Sequence, residues 1–140
     1  MTSMPEGSTA YPNGKDAGVQ KRTLLVADDD AGIRSLVACA LRPEYQVLEA
    51  SNGLEVIGWM EIHPDPISLV ISDVQMPHAS GLDVARWLSD RHPTVKLLLM
   101  SGEYDNDRIR AHLGSAEIPF LAKPFRLAAL TSTVLNLLSD

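Results

Sequence analysis

Short apolar runs alternate with helical patterns along most of this chain, and the alternation is the strongest constraint on its fold. Apolar, strand-like runs lie at 23–27, 46–50, 69–72, 96–101 and near 120–122. Each run is followed by a segment in which apolar residues recur every three or four positions. Five strands that alternate with five helices favour right-handed crossovers and one parallel sheet covered on both faces. The sequence therefore predicts an α/β fold with a five-stranded, doubly wound parallel sheet.

Local signals indicate where the helices begin and end. Asp30 is the predicted N-cap of the first helix and Pro43 its stop, and Asn52-Gly53 precedes the second helix. The fourth helical segment, 105–113, is polar and only weakly periodic, whereas the last, 127–138, is strongly amphipathic. We therefore expect 105–113 to be a mobile element.

The chain is long enough for one domain and too short for two. Residues 1–22 are rich in Ser, Thr, Gly and Pro and lack periodicity, so they are predicted to be a disordered leader or linker before a domain at 23–140. The leader has no apolar core of a signal peptide, and no stretch approaches the roughly 18 apolar residues of a membrane span. A cytoplasmic location is the expectation.

Charge and cysteine content limit the kinds of partner and the cellular compartment that are expected for this chain. A net charge of −6 and a pI near 5.1 argue against a nucleic-acid-binding domain and against an anionic membrane surface as partner. The single cysteine, Cys39, excludes an internal disulfide and suits a reducing compartment. Because it lies among apolar residues of the first helix, Cys39 is predicted to be a small core or boundary residue.

Polar residues follow the strand-like runs and are expected to meet. Asp28 and Asp29 come after the first run, Asp73 after the third, Ser101 ends the fourth and Lys123 follows the fifth. A lone Asp after a strand is more often a helix cap or a loop hydrogen-bond acceptor. In a parallel sheet, however, all strands end at one edge, where ligands of such sheets bind. These five side chains are therefore predicted to converge on one rim.

The chemistry of that rim indicates phosphoryl transfer. Three neighbouring carboxylates repel one another and raise one another's pKa unless a cation intervenes. Mg²⁺ is the natural cation, since it takes oxygen ligands and commonly uses one or two carboxylates. Carboxylates, Mg²⁺, an ammonium group and a hydroxyl together suit the oxygens of a transferring phosphoryl group, and Asp can accept that group. The residues thus predict a Mg²⁺-dependent site at which an aspartate is phosphorylated.

Over about residues 23–140 the chain resembles the receiver domains of two-component response regulators. The motifs that carry the resemblance are Val26-Ala27-Asp28-Asp29-Asp30, Ser72-Asp73-Val74-Gln75-Met76-Pro77, Gly81-Leu82-Asp83, Met100-Ser101-Gly102 and Phe120-Leu121-Ala122-Lys123-Pro124-Phe125. Each is weak alone, but their order and spacing are highly specific. The resemblance implies a flavodoxin-like sheet of strand order 2-1-3-4-5. Ala79-Ser80 departs from the family's usual hydrophobic-Asp pair at a position that is not expected to hold chemistry.

The resemblance also implies roles for individual residues. Asp73 would accept the phosphoryl group, and Lys123, aimed inward by a cis peptide before its proline, would pair with the phosphoryl oxygens. Asp29, Asp73 and the backbone carbonyl of Gln75 would bind Mg²⁺ directly, and Asp28 would bind it through water.

Further residues would couple phosphorylation to a conformational change and set the lifetime of the phosphoryl group. Ser101 would move toward the phosphorylated aspartate. Phe120 occupies the position of the family's switch aromatic, and since it lacks a hydroxyl its switch would be purely steric. Gln75 and Glu103 flank the site where related proteins tune the lifetime of the phosphoryl group.

The function implied is that of a phosphorylation-dependent signalling domain which catalyses only its own phosphorylation and dephosphorylation. Its partners would be a histidine kinase or phosphotransfer protein and a downstream protein target, without nucleic acid or membrane. The surface that reads phosphorylation would involve the fourth helix, the fifth strand and the last helix. The chain would be a stand-alone receiver or one excised from a larger protein such as a hybrid kinase.

Two alternative hypotheses on function have less support from the sequence. A phosphatase of the haloacid dehalogenase type also uses a strand-end Asp, and the spacing of Asp28 and Asp30 superficially fits one. That reading leaves Asp73 without a role and supplies no late acidic pair for the metal. A degenerate receiver that serves only as a scaffold is disfavoured because all the core positions of the site are filled.

Overall fold

The computed structural model describes residues 21–63, 65–102 and 118–139. Five strands are present in the described residues: β1 (Thr23–Ala27), β2 (Gln46–Ala50), β3 (Ile67–Asp73), β4 (Lys96–Ser101) and β5 (Phe120–Ala122). The helices are α1 (Ala31–Leu41), α2 (Gly53–Ile62), α3 (Gly81–Arg91) and α4 (Leu127–Leu138). The predicted leader, apart from its last two residues, and the predicted helix at 105–113 lie outside the described residues.

All five strands form one parallel sheet in the order β2-β1-β3-β4-β5. This is the order 2-1-3-4-5, so the predicted doubly wound, flavodoxin-like fold is confirmed. The central strands β1 and β3 are neighbours, with Ala27 in register with Ser72. The residues that follow β1 and end β3 therefore lie side by side at the carboxyl edge of the sheet.

The sheet separates two apolar cores. Alternate residues of each strand point to opposite faces, so Leu25 and Ala27 pack against α2 and α3, while Leu24 and Val26 pack against α1 and α4. The residues of β1 and most of those in β3 and β4 are fully buried. Burial on both faces explains why these strands read as continuous apolar runs rather than as alternating patterns.

Three helices begin at the same edge of the sheet with a side-chain cap. Asp30, as predicted, caps α1 by accepting the N–H of Ile33 at 3.1 Å. Asn52 caps α2 in the same way. Ser80 and Asp83 form a reciprocal capping box at the start of α3, with bonds of 3.1 and 3.0 Å. Helix starts and strand ends thus fix the loops that surround the edge.

Two expectations need correction. Cys39 is exposed rather than part of the core or its boundary, because it lies on the face of α1 turned away from the sheet. Strand β3 is longer than predicted: it begins at Ile67, directly after Pro66, and includes Asp73 as its last residue.

Among the described residues, no helix has the length and apolar character needed to span a bilayer.

Candidate functional site

An acidic cluster lies at the carboxyl edge of the two central strands. Asp28 and Asp29 follow β1, and Asp73 ends β3. One carboxylate oxygen from each of the three lies within 4.8 Å of the others. Asp28 is fully buried and Asp73 is 9% exposed, whereas Asp29 is exposed. The predicted convergence of the three carboxylates is therefore present in the structure.

Lys123 supplies the positive charge of the site. It follows β5 at the far edge of the sheet, and its Nζ lies 2.9 Å from Asp28 Oδ2 and 3.3 Å from Asp73 Oδ2. Its backbone N–H donates to the carbonyl of Ser101 at 2.9 Å, and its peptide bond to Pro124 is cis, as the resemblance implied. The side chain, 18% exposed, bridges the two buried carboxylates.

The electrostatic balance at Asp73 opposes its negative charge. Burial raises the pKa of Asp73, and the charge of Asp28 raises it further. Lys123 and the N–H of Gln75 act in the other direction but do not outweigh these effects. For Lys123 burial opposes the charge, yet its bonds to Asp28 and Asp73 prevail and raise its pKa. Among the described residues, the acidic cluster thus holds more negative charge than the ammonium group of Lys123 neutralises.

The loop that carries Asp28 is held at several points. The Asp28 carboxylate accepts the N–H of Asp30 at 2.9 Å through Oδ1, while Oδ2 faces Lys123. Its own N–H donates to the carbonyl of Ala50 at 3.1 Å, and its carbonyl accepts a bond from Arg34 Nη1 at 2.8 Å. Every polar group of Asp28 therefore has a partner, as a fully buried acid requires.

The loop after Asp73 is packed against two helix starts. A Cβ on Gly81 would lie 2.4 Å from the carbonyl oxygen of Asp73, so only glycine permits this approach. A Cβ on Gly53 would lie equally close to the carbonyl oxygen of Ala79, which accepts the N–H of Gly53 at 3.2 Å. The close contacts of Gly53 and Gly81, at the starts of α2 and α3, thus hold the segment that follows Asp73 in place.

Three of the remaining predicted residues lie on or beside the elements that carry the acidic cluster and Lys123. Ser101 is 3% exposed and ends β4, one residue beyond Met100, which is in register with Asp73. Phe120 is half-buried in β5. Gln75 is exposed, and its N–H donates to Asp73 Oδ1 at 3.4 Å, a long bond. Glu103 lies outside the described residues.

The donor set suits a hard divalent cation. The three clustered ligand atoms are carboxylate oxygens, two from groups whose charges repel in a buried setting, and the third acid faces solvent. Mg²⁺ prefers such oxygen ligands and keeps several of its waters, which an exposed Asp29 allows. The residues present therefore fit Mg²⁺.

Comparison with known proteins identifies the family of this chain. A family model described as the response regulator receiver domain matches residues 24–135. The chain is 36% identical over 119 residues to the sensor kinase CckA of Brucella abortus, covering 82% of this chain but only 12% of that kinase. It is 29% identical over 126 residues to the polar-differentiation response regulator DivK of Brucella ovis, covering 86% of this chain and 98% of DivK.

A solved receiver domain from Clostridium thermocellum superposes with a TM-score of 0.75 at 26% identity, covering 83% of this chain and 93% of the other. The chain therefore belongs to the family of response regulator receiver domains, which act in two-component signalling. Neither the family match nor the relatives above support the haloacid dehalogenase alternative.

Some contacts of the site were not anticipated from the sequence. The capping box at Ser80 carries a recognisable signal, a Ser followed three residues later by an acid, in the Ala79-Ser80 pair that departs from the family pattern. The bond from Arg34 to the carbonyl of Asp28 and the contact of Gly53 with Ala79 carry none, because each ends on a backbone atom. Such contacts follow from the fold rather than from residue type.

Proposed function

We propose that this domain accepts a phosphoryl group on Asp73 from a phosphohistidine, with Mg²⁺, and thereby switches a protein-interaction surface. One observation carries the proposal: Asp73 lies 3.3 Å from the ammonium group of Lys123 and within 4.8 Å of the carboxylates of Asp28 and Asp29. Three carboxylates and an ammonium group thus meet at one edge of the sheet, an arrangement that supports this proposal.

The reaction needs no other covalent participant. A carboxylate oxygen of Asp73 attacks phosphorus, the bond between phosphorus and the histidine nitrogen breaks, and that nitrogen keeps the electron pair. Lys123 can pair with the phosphoryl oxygens as charge builds on them. Since the same ammonium group holds Asp28 and Asp73 in the unphosphorylated protein, it is already positioned for this task.

Mg²⁺ would be held by Asp29, Asp73 and the backbone carbonyl of Gln75, with Asp28 acting through water. The bound ion would neutralise the carboxylates and the phosphoryl oxygens. Burial, and then the charge of Asp28, raise the pKa of Asp73, which supports a cation here because a bound cation would favour the ionised form of Asp73.

Ser101 and Phe120 are the proposed switch residues. Ser101 is buried at the end of β4, next to the strand that carries Asp73, and Phe120 lies half-buried on the neighbouring β5. A hydroxyl that moves toward the new phosphoryl group would change the space beside it, and phosphorylation would shift a two-state equilibrium by its differential stabilisation of one state. Gln75 and Glu103 are proposed to set the lifetime of the phosphoryl group.

The proposed partners are a histidine kinase or phosphotransfer protein and a downstream target protein, met in the cytoplasm. The chain spans 12% of the sensor kinase CckA and nearly all of the response regulator DivK, and it is proposed to be either a domain of a larger protein, such as a hybrid kinase, or a stand-alone regulator. The domain is proposed to act as a signalling module rather than an enzyme on other substrates.

Phosphorylation by a small-molecule donor tests this function. Wild-type protein incubated with acetyl phosphate and Mg²⁺ is expected to gain one phosphoryl group by intact mass, and Asp73→Asn is expected to gain none. Asp30→Asn is the matched control: its side chain caps α1, Asn caps equally well, and labelling should persist. Labelling of Asp73→Asn would refute the assignment. Turnover of a generic phosphate ester that survives Asp73→Asn but is lost in Asp28→Asn would instead favour the phosphatase.

A further inference from the structure

Arg34 joins the acidic loop to the edge strand of the sheet. From its place on α1 it donates through Nη1 to the backbone carbonyl of Asp28 at 2.8 Å and through Nε to Glu49 Oε1 on β2 at 3.1 Å. Its side chain is only 20% exposed. The guanidinium thus contacts the loop through the backbone, without a bond to any carboxylate of the acidic cluster.

The carbonyl that Arg34 binds belongs to the peptide unit between Asp28 and Asp29. A peptide unit is planar, so a rotation of this carbonyl would also turn the N–H of Asp29 and redirect the two side chains that flank it. The other polar groups of Asp28 bond to Ala50, Asp30 and Lys123, and Arg34 binds the carbonyl of the peptide unit itself. This bond therefore restrains the peptide unit that links the two acids.

We infer that Arg34 is a positioning residue for the cation site: it fixes the Asp28–Asp29 peptide unit and so holds the two carboxylates at the separation that a divalent ion requires. The inference rests on the proposed function of the site. It adds to that function a residue outside the acidic cluster, acting through the backbone.

Glu49 holds Arg34 in place and also provides the control. Its Oε1 accepts from Arg34 and its Oε2 from Arg42 at 2.8 Å, and these bonds lower the pKa of Glu49, Arg42 contributing most. Arg42 lies near the end of the same helix, is 46% exposed and contacts Glu49 but not the acidic loop. Replacing either arginine removes one cation and one bond to Glu49. Only the replacement of Arg34 also removes the bond to the Asp28 carbonyl.

Mg²⁺ affinity, measured by calorimetric titration of the whole chain, separates the roles. We expect Arg34→Met to bind Mg²⁺ roughly tenfold more weakly than wild type, as is typical when a partner of metal ligands is removed. Arg42→Met should stay within about twofold, since it changes net charge equally but leaves the loop intact. Arg34→Lys should resemble Arg34→Met, because an ammonium group lacks the planar fork that bonds the carbonyl and Glu49 together.

Equal affinities in Arg34→Met and Arg42→Met would overturn the inference. Full affinity in Arg34→Lys would also overturn it, because charge rather than positioning would then be the cause. Arg34→Lys also keeps the test decisive if Arg34→Met does not fold. A wild-type chain that binds Mg²⁺ yet takes up no phosphoryl group from acetyl phosphate would refute the proposed function alone, while the affinities would still decide the role of Arg34.

Discussion

At the scale of single residues, Asp73 is placed where its charge costs stability. Burial and the nearby charge of Asp28 raise its pKa, and Lys123 compensates only in part. Placement of an ionised group at a cost in stability is typical of sites that must react, which are seldom at their stability optimum. The same imbalance would favour the binding of the cation proposed for this site.

Asp73→Asn should therefore stabilise the protein without Mg²⁺, by about 1 kcal/mol at pH 7. The sign follows from the raised pKa: the cost of the charge is present above the folded-state pKa and disappears as the pH falls through it toward the unfolded value. The advantage of Asp73→Asn should thus shrink in acid.

Urea unfolding of wild type and Asp73→Asn at neutral and acidic pH measures this difference. Added Mg²⁺ should stabilise wild type more than the variant, because a ligand that binds only the folded state raises its stability. A variant less stable than wild type at neutral pH without Mg²⁺ would show that the ion pair with Lys123 outweighs burial.

At the scale of elements, the segment after Asp73 depends on the start of α2. The N–H of Gly53 binds the carbonyl of Ala79, and a Cβ on Gly53 would lie 2.4 Å from that oxygen and 2.6 Å from the Cβ of Ala79. Contacts below 3 Å to backbone atoms cannot be absorbed by a side-chain rotation. A methyl group there would push the segment and displace the neighbours of Asp73.

Gly53→Ala should lower the free energy of unfolding by about 1–3 kcal/mol through this overpacking and should slow phosphorylation by acetyl phosphate. Gly58→Ala on the same helix is the control: a Cβ there meets nothing within 4 Å, so the better helix propensity of Ala should stabilise the protein by up to about 1 kcal/mol. Urea unfolding and labelling rates of the two variants provide the comparison. The two Gly→Ala changes should have opposite effects on the free energy of unfolding. Equal effects would contradict the close contact of Gly53 with Ala79.

Element positions were largely predictable, whereas the direction of individual side chains was not. Apolar spacing located α1, and Asp30 marked its start. Yet Leu36 is 54% exposed and Cys39 is exposed on the same helix, although both lie among apolar residues. Periodicity identifies a helix by its stripe of buried residues, and it does not require every apolar residue to belong to that stripe.

At the scale of the whole molecule, a contact of Lys123 joins the edge strand β5 to the loop after the central strand β1. Lys123 leaves the edge strand β5 and reaches Asp28, which follows β1 on the other side of β4 and β3. Asp28 is fully buried, so removal of the ammonium group would leave a buried carboxylate without its cation. The contact is therefore structural as well as chemical.

Lys123→Met should lower the free energy of unfolding by about 2 kcal/mol without Mg²⁺, since a buried charged acceptor loses its partner. The loss should be smaller in an Asp28→Asn background, where that carboxylate is absent. Chemical denaturation of the two single variants and the double variant gives this coupling. Lys21→Met, which replaces an exposed lysine, should change stability by less than about 0.5 kcal/mol. Additive effects of the two site substitutions would contradict the coupling.

The convergence of the site was predictable because a parallel sheet brings all strand ends to one edge. Side-chain types at those ends, such as those of Asp73 and Lys123, then indicated the chemistry. The bond of Arg34 to the Asp28 carbonyl was not predictable, because every residue has a carbonyl and only the folded chain shows which one is near. Sequence thus indicates the reacting groups more readily than the contacts that hold them in place.

The bond between Lys123 and Asp28 joins positions 95 residues apart. During synthesis the acids emerge early and their cation emerges with the last strand, so a nascent chain carries the acceptor long before it carries the group that completes it. Under the proposed function, an unfinished copy would lack the lysine needed to take a phosphoryl group efficiently. Competence to receive the signal would then mark a completed domain, and partly made copies would not draw phosphoryl groups away from finished ones.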